Sequence, residues 1–470
     1  MTEFIRKKLS DSPAVRWTAL FIVAFTMMMG YFITDVVSPL EDMLETPVAQ
    51  GGFGWTSTEY GFFSGSYGFI NVYLLMLFFG GLILDKMGVR FTGILACGLM
   101  VAGVFIKYYA IAFVEPFATT HVNIPFLGLA DADVKNQVLL AALGFSIFGT
   151  GCEICGITVS KIIAKWFTGH GMALAMGIQV AMARMGTAAA LGFSAPIAHH
   201  FGIISAPILL GAALLCIGFL AYMVYCVMDK KLDRSEAATA DATQKSADDG
   251  FHFRDLKAIF TNPGFWLITL LCLLFYSGVF PFLKFATKLM ITKYSIDPQV
   301  AGYIPMLLPF GTIFLTPLFG TIYDKIGKGA TLMIIGSLML TAVHVIFALP
   351  ILSNAVMAVT VMIVLGVAFS LVPSAMWPSV PKIIPMKLLG SAYAIIFYIQ
   401  NIGLAMVPIL IGSVLDANTT ITADGSKLMD FTMAMWIFAG FGVAAVILAT
   451  LLRLLDARMK YGLEMPNTKK

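Results

Sequence analysis

The sequence predicts an all-α membrane protein with twelve transmembrane helices in two pseudo-symmetric six-helix bundles and both termini cytoplasmic. Three observations lead there. The residues are 59% hydrophobic and only 12% charged, with a mean hydropathy of +0.89, whereas a soluble domain averages about 25% charged. Twelve apolar runs are each long enough, at about 20 residues, to cross a bilayer. One short motif recurs at corresponding places in the two halves. So few charges cannot cover a water-facing surface of this size, but a lipid-facing surface needs none.

The runs begin near Trp17, Gly61, Phe91, Val138, Gly171, Ile203, Pro263, Ala301, Ala330, Ala355, Leu388 and Phe431. The first is too long for the apolar core of a signal peptide, and no small-residue cleavage site follows it, so it reads as a spanning helix. Loop charge sets the orientation, because Lys and Arg concentrate on the cytoplasmic side. Arg6, Lys7, Lys8 and Arg16, then Lys86 and Arg90, Lys161 and Lys165, Lys230, Lys231 and Arg234, Lys325 and Lys328, Lys382 and Lys387, and Arg453, Arg458 and Lys460 all fall on one side of the count. The opposite loops carry Glu41, Asp42, Glu45, Glu59, Asp131, Asp133, Asp416 and Asp424. Asp229–Asp255 is the one long polar stretch and reads as a flexible linker. The expected organisation is a bundle over 1–228, a cytoplasmic linker over 229–258 and a second bundle over 259–470.

The net charge of +4 does not suggest nucleic acid. Cys152 and Cys155 form a CxxC, but without a βαβ context or further Cys/His ligands the redox and metal readings fail. The six cysteines are expected as free thiols. No nucleophile–base pair or metal cluster is apparent, so neither an enzyme nor a cofactor is expected. The expected partners are a small-molecule substrate and membrane lipid, and the chain is expected to be a monomer.

Gly81-Leu-Ile-Leu-Asp85-Lys86-Met-Gly88 follows the second run, and Gly320-Thr-Ile-Tyr-Asp324-Lys325-Ile-Gly327 follows the eighth. Both are GxxxDKxG, and two parallel six-helix halves are the repeat pattern of one large transporter class. Followed by Arg90, the first copy resembles the signature loop of the major facilitator superfamily. That resemblance implies close helix packing and a tight turn at the glycines, and an aspartate capping a neighbouring helix N-terminus. Val89 stands where many members carry a basic residue, which thins the expected ion network. Tyr31-Phe32-x-x-Asp35, Gly149-x-Gly151-x-Glu153, Trp166-Phe167, Met182-Ala183-Arg184-x-Gly186, Val279-Phe280-Pro281-Phe282, Trp377-Pro378 and Gln400-Asn401-x-Gly403 together resemble the major facilitator superfamily domain-containing protein 1 family, whose members include lysosomal dipeptide transporters. The resemblance implies uptake or exchange of short peptides.

Charges inside a membrane are costly, so each is a functional candidate. Glu153 and Arg184 lie about equally far from the turn between the fourth and fifth runs, roughly 20 Å at 1.5 Å per residue. They belong to adjacent antiparallel helices. Two readings stand. They form a structural ion pair, or they face the central cavity and hold the termini of a zwitterionic dipeptide, Arg184 on the carboxylate and Glu153 on the ammonium. Asp35 is placed to carry a coupling proton, line the entrance or cap a helix. Lys284 and Lys288 snorkel or steer substrate, and His344 is structural. Tyr31, Phe282, Trp377, Gln400 and Asn401 complete the expected cavity lining. Gly81, Asp85, Lys86, Gly88, Arg90, Asp324 and Lys325 form the expected gating loops, which latch the cytoplasmic side when the carrier faces outward.

The E-x-x-E-R signature of proton-coupled oligopeptide carriers is missing from the first run, and the second and eighth lack the arginines of nitrate-type carriers. An organic-anion carrier using Arg184 is the alternative. A non-transporting receptor would carry a larger soluble part than the linker. With short external loops, a single Asn418-Thr419-Thr420 sequon and no acidic dileucine near the start, the expected location is a bacterial inner membrane.

Overall fold

The computed structural model describes Ser10 and residues 12–167, 171–237, 253–351, 353–385, 388–421 and 427–466. Twelve helices cross between two faces: α1 (Pro13–Asp35), α2 (57–87), α3 (89–113), α4 (Asn136–Phe167), α5 (Met172–Phe201), α6 (Ala206–Ala237), α7 (263–294), α8 (Tyr303–Ile326), α9 (Gly329–Ala348), α10 (Ala355–Ile383), α11 (Leu389–Ala417) and α12 (Thr432–Met459). Among the described residues, eleven helical segments are long and apolar enough to cross a membrane. The twelfth crossing is α2, which breaks at Leu74–Leu75 and runs into α3 through Gly88. Gly88 turns the chain at φ 75° and ψ 173°, a conformation open to glycine at little cost. α7 also breaks, into Pro263–Ser277 and Phe280–Tyr294; Pro281 lacks the N–H that would bind back across the junction. Large apolar side chains such as Phe21, Leu220 and Val356 stand exposed around the barrel, as a lipid-facing surface requires.

Twelve crossings bring both described ends to one face, here called the terminal face. Two hairpins cover the other: β1 (Thr119–Ile124) with β2 (Leu129–Lys135), and β3 (Thr419–Ile421) with β4 (Lys427–Met429). Hydropathy gave no sign of either.

The expected linker begins later than sequence suggested. Residues 229–237 continue α6, and Asp229 is almost fully buried beneath Lys165, Trp166 and Tyr225. Phe253–Phe260 is a short helix. The rest of the linker, Arg6, Lys7, Lys8, Lys387 and Asp424 lie outside the described residues.

The halves meet asymmetrically. Asp416 of α11 accepts from the Ser57 and Thr58 amides at the start of α2, and α2 packs through Gly61 onto the Pro408 carbonyl. Lys427 donates to the Glu45 and Trp55 carbonyls. Gly302 at the head of α8 lies on the Leu191 carbonyl of α5. Among the described residues, the hydrogen bond from Tyr398 to the Val72 carbonyl, 3.1 Å, lies nearest the terminal face of all hydrogen bonds and ion pairs joining the halves. Among the described residues, the hydrogen bonds and ion pairs that join the bundles lie away from the termini.

Candidate functional site

Close helix approach places the two membrane charges. A Cβ on Gly149 would strike the Tyr67 carbonyl, so α4 and α2 can touch only because that residue is glycine. Gly186 brings α5 against the Met28 carbonyl of α1 in the same way. Glu153 therefore stands beside Tyr67, and Arg184 beside Tyr31. The Tyr67 hydroxyl donates to Glu153 Oε1 at 2.9 Å. Tyr31 lies within electrostatic reach of both Glu153 and Arg184.

Glu153 and Arg184 do not form an ion pair with each other. Arg184 makes no hydrogen bond or ion pair among the described residues. Its guanidinium lies over the rings of Phe280 and Phe369, 5.5 and 5.2 Å from their centroids. Those rings belong to α7 and α10, so Arg184 reaches the other half, a cation–π contact in partly dry surroundings.

Around Arg184 the second half presents an aromatic wall. Phe280 and Phe369 meet edge to face at 5.2 Å, and Tyr276 packs on both. Trp377 Nε1 donates to the Tyr276 hydroxyl at 3.0 Å, and its ring stacks on Phe397. Gln400 accepts from the Cys272 thiol at 3.4 Å. Asn401 donates to the Phe397 carbonyl and leaves its buried Oδ1 without a donor.

Phe282 is a correction. It is fully buried between His344, Phe347 and Phe438 in the interior of the second bundle. The break in α7 restarts the helix at Phe280, whose ring meets Arg184, while Phe282 turns into the bundle interior. His344 faces the bundle interior, where its Nε2 donates to the Gly278 carbonyl at 2.8 Å.

Asp35 pairs with Lys284 at 2.6 Å, and the same ammonium donates to the Thr34 carbonyl at 2.9 Å. Lys288 binds Asp42, and lies 3.7 Å from Glu45. The two lysines neither snorkel to solvent nor stand free; Lys284 ties α7 to the end of α1 and Lys288 ties it to the Glu41–Glu45 turn beyond. Lys107 of α3, absent from the sequence candidates, is fully buried. It donates to the Ile33 carbonyl at 2.9 Å and lies 4.5 Å from the Phe145 ring centroid. A lone lysine in the middle of an apolar run was the signal.

In the first gating loop Asp85 pairs with Lys161 of its own half at 2.7 Å, and both are largely exposed. Among the described residues it caps no neighbouring helix N-terminus. Arg90 turns away, to Asp229 and Asp233. Lys86, Asp324 and Lys325 are exposed. Gly81 and Gly320 face open space, so the close packing expected at Gly81 is not made in this conformation. Gly327 lies against the backbone of residues 464–466, and the Glu464 carboxylate caps Thr331 at the head of α9.

The sequence profile of the Major Facilitator Superfamily matches residues 20–408. The chain is 26% identical over 414 residues to the lysosomal dipeptide transporter MFSD1 of Mus musculus, covering 86% of this chain and 81% of that protein. With the human protein of the same name it shares 25% identity over 419 residues, 86% and 81% of the two chains. Among solved structures, the fold is similar to a peptide transporter POT in complex with alafosfalin (TM-score 0.68, 14% identity, 98% and 97% covered). It is also similar to the nucleoside transporter NupG (TM-score 0.64, 15% identity, 93% and 98% covered).

Proposed function

Because the chain belongs to the Major Facilitator Superfamily, a family of membrane transporters and not of enzymes, we propose that it carries dipeptides across the membrane by alternating access. The observation that carries this reading is the separation of Glu153 and Arg184. One anion and one cation stand on adjacent helices, and neither neutralises the other. Two extended residues span up to about 7 Å, and a zwitterion of that length presents an ammonium to Glu153 and Tyr67 and a carboxylate to Arg184. A guanidinium fork binds both carboxylate oxygens. The rings of Tyr276, Phe280, Phe369 and Trp377 then supply an apolar wall that accepts side chains of varied shape. The relatives named as dipeptide transporters support the same substrate class.

Transport follows from rocking of the halves around this midplane site. In this reading the conformation is open toward the termini, supported by the open space at Gly81 and Gly320, and the loop charge supports a cytoplasmic side there. The proposed seat is a bacterial inner membrane. The short loops on the opposite face support it, and membrane fractionation tests it against the lysosomal location in the relatives' names.

An organic-anion carrier is the second reading, favoured by one observation: Arg184 has no carboxylate partner while Glu153 already has a donor in Tyr67. Thermal-shift screening of the purified chain against dipeptides, single amino acids and monocarboxylates separates the two, followed by uptake into liposomes. Stabilisation by monocarboxylates alone would overturn the dipeptide reading, and binding without accumulation in the lumen would overturn transport itself.

A further inference from the structure

Just beyond α1 the chain makes a short turn, Glu41–Glu45, that is wedged between the halves at the closed face. Glu41 is fully buried, and neither of its carboxylate oxygens has a hydrogen-bond partner. Glu45 is 2% exposed and follows one turn later, so the two carboxylates share a face. The groups around Glu41 are few. Asp42 and Glu45 come from its own turn, Lys288 from α7 and the buried Tyr60 from α2. The Tyr60 hydroxyl is committed to the Lys284 carbonyl at 2.7 Å. Lys288 is taken by Asp42 and Glu45. Glu45 Oε1 accepts from Ser57, while its Oε2 has no hydrogen-bond donor. Lys427 spends its ammonium on backbone carbonyls of Glu45 and Trp55.

Three carboxylates thus converge on one ammonium, and the innermost has no donor at all. An ionised carboxylate held dry and unpaired is not sustainable; one hydrogen carried on Glu41 removes the surplus charge and supplies the donor that its surroundings lack. We propose that Glu41 is a proton-binding site, filled when the face opposite the termini closes and emptied when that face opens and water reaches it. Acid on that side therefore holds the face shut and turns the cavity toward the termini. The inference rests on the alternating-access reading and not on the identity of the solute.

The test needs no solute, so its failure and that of the dipeptide reading are distinguishable. Spin labels at Gln50 and Gln299, both exposed on the closed face but on different halves, report its opening in the full-length chain after replacement of the native cysteines. Between about pH 4 and pH 8, the range over which a carboxylate moved from water to a dry site changes charge, the distance should lengthen as pH rises. Glu41→Gln, which is neutral at every pH, should hold the short distance throughout. Glu45→Gln should keep the pH response. A pH response identical in Glu41→Gln and in the parent chain, or none in the parent, overturns the proposal. A second readout uses the unaltered chain: a hydrophobic carbodiimide that attacks protonated carboxyl groups should modify Glu41 at acidic pH and spare it at alkaline pH. Equal modification at both, located by mass spectrometry, overturns it too.

Discussion

Glu153 and Arg184 stand on adjacent helices, yet the carboxylate is held by Tyr67 and the guanidinium lies over Phe369 in the opposite bundle. The separation keeps both charges available. Arg184→Ala should abolish dipeptide uptake, and Arg184→Lys should restore only part of it, because an ammonium cannot make the two-pronged contact. Hydrogen bonds to charged groups contribute about 1.5–3 kcal/mol, so each loss should weaken apparent affinity roughly 10- to 150-fold. Concentration dependence of liposome uptake measures it. Undiminished uptake by Arg184→Ala would remove the carboxylate contact.

The pair Lys284–Asp35 ties the bundles together, with both side chains nearly out of solvent. Breaking one partner of a fully buried pair costs about 3–5 kcal/mol; partial exposure reduces this to roughly 1–3 kcal/mol. Asp35→Asn should therefore shift the population toward opening of the face opposite the termini. It also leaves Lys284 facing Lys107 without a counter-charge. The combination Asp35→Asn with Lys284→Met should recover much of the closed population. Accessibility of a cysteine introduced at that face would decide, and no change in Asp35→Asn would count against a gate there.

Gly81 and Gly320 occupy matching places in the two halves, and both face open space. Closure of the terminal face would bring these surfaces against the other bundle. Leucine at either position should leave thermal stability within about 0.5 kcal/mol, as for surface changes, but slow transport by obstructing closure. Asp85→Asn should bias the carrier the same way. Equal transport rates in all three variants would show that the terminal face closes along another surface.

Lys107 is a buried cation satisfied by the Ile33 carbonyl and the Phe145 ring rather than by a carboxylate. Lys107→Met keeps the volume and removes the charge, so stability should hold or rise. Lys107→Ala leaves a cavity and should cost about 2–4 kcal/mol. Thermal denaturation in detergent distinguishes them; equal losses in both variants would mean that the charge itself holds α1 to α3.

Hydropathy resolved the twelve crossings because lipid contact imposes an apolar surface on every one of them. It did not resolve the break at Leu74–Leu75, where two apolar residues give no compositional cue. Nor did helical spacing decide between Phe280 and Phe282, since a helix that restarts after Gly278 loses the phase of the segment before it. Glu41, Asp42 and Glu45 read as polar loop residues, and their burial could not be foreseen. It depends on Lys288, far away in sequence. Glu153 and Arg184 were legible for the opposite reason: each is a lone charge in an apolar run, and the cost of such a charge makes it conspicuous.

The second segment of α7, Phe280–Tyr294, carries Phe280, Lys284 and Lys288 at successive intervals of four residues, hence along one side of a short rigid rod. Its lower end touches Arg184, and its upper two positions grip Asp35 and Asp42. The residue that touches the Arg184 guanidinium and the two that hold the opposite face are therefore parts of one helical segment, with only its own backbone between them.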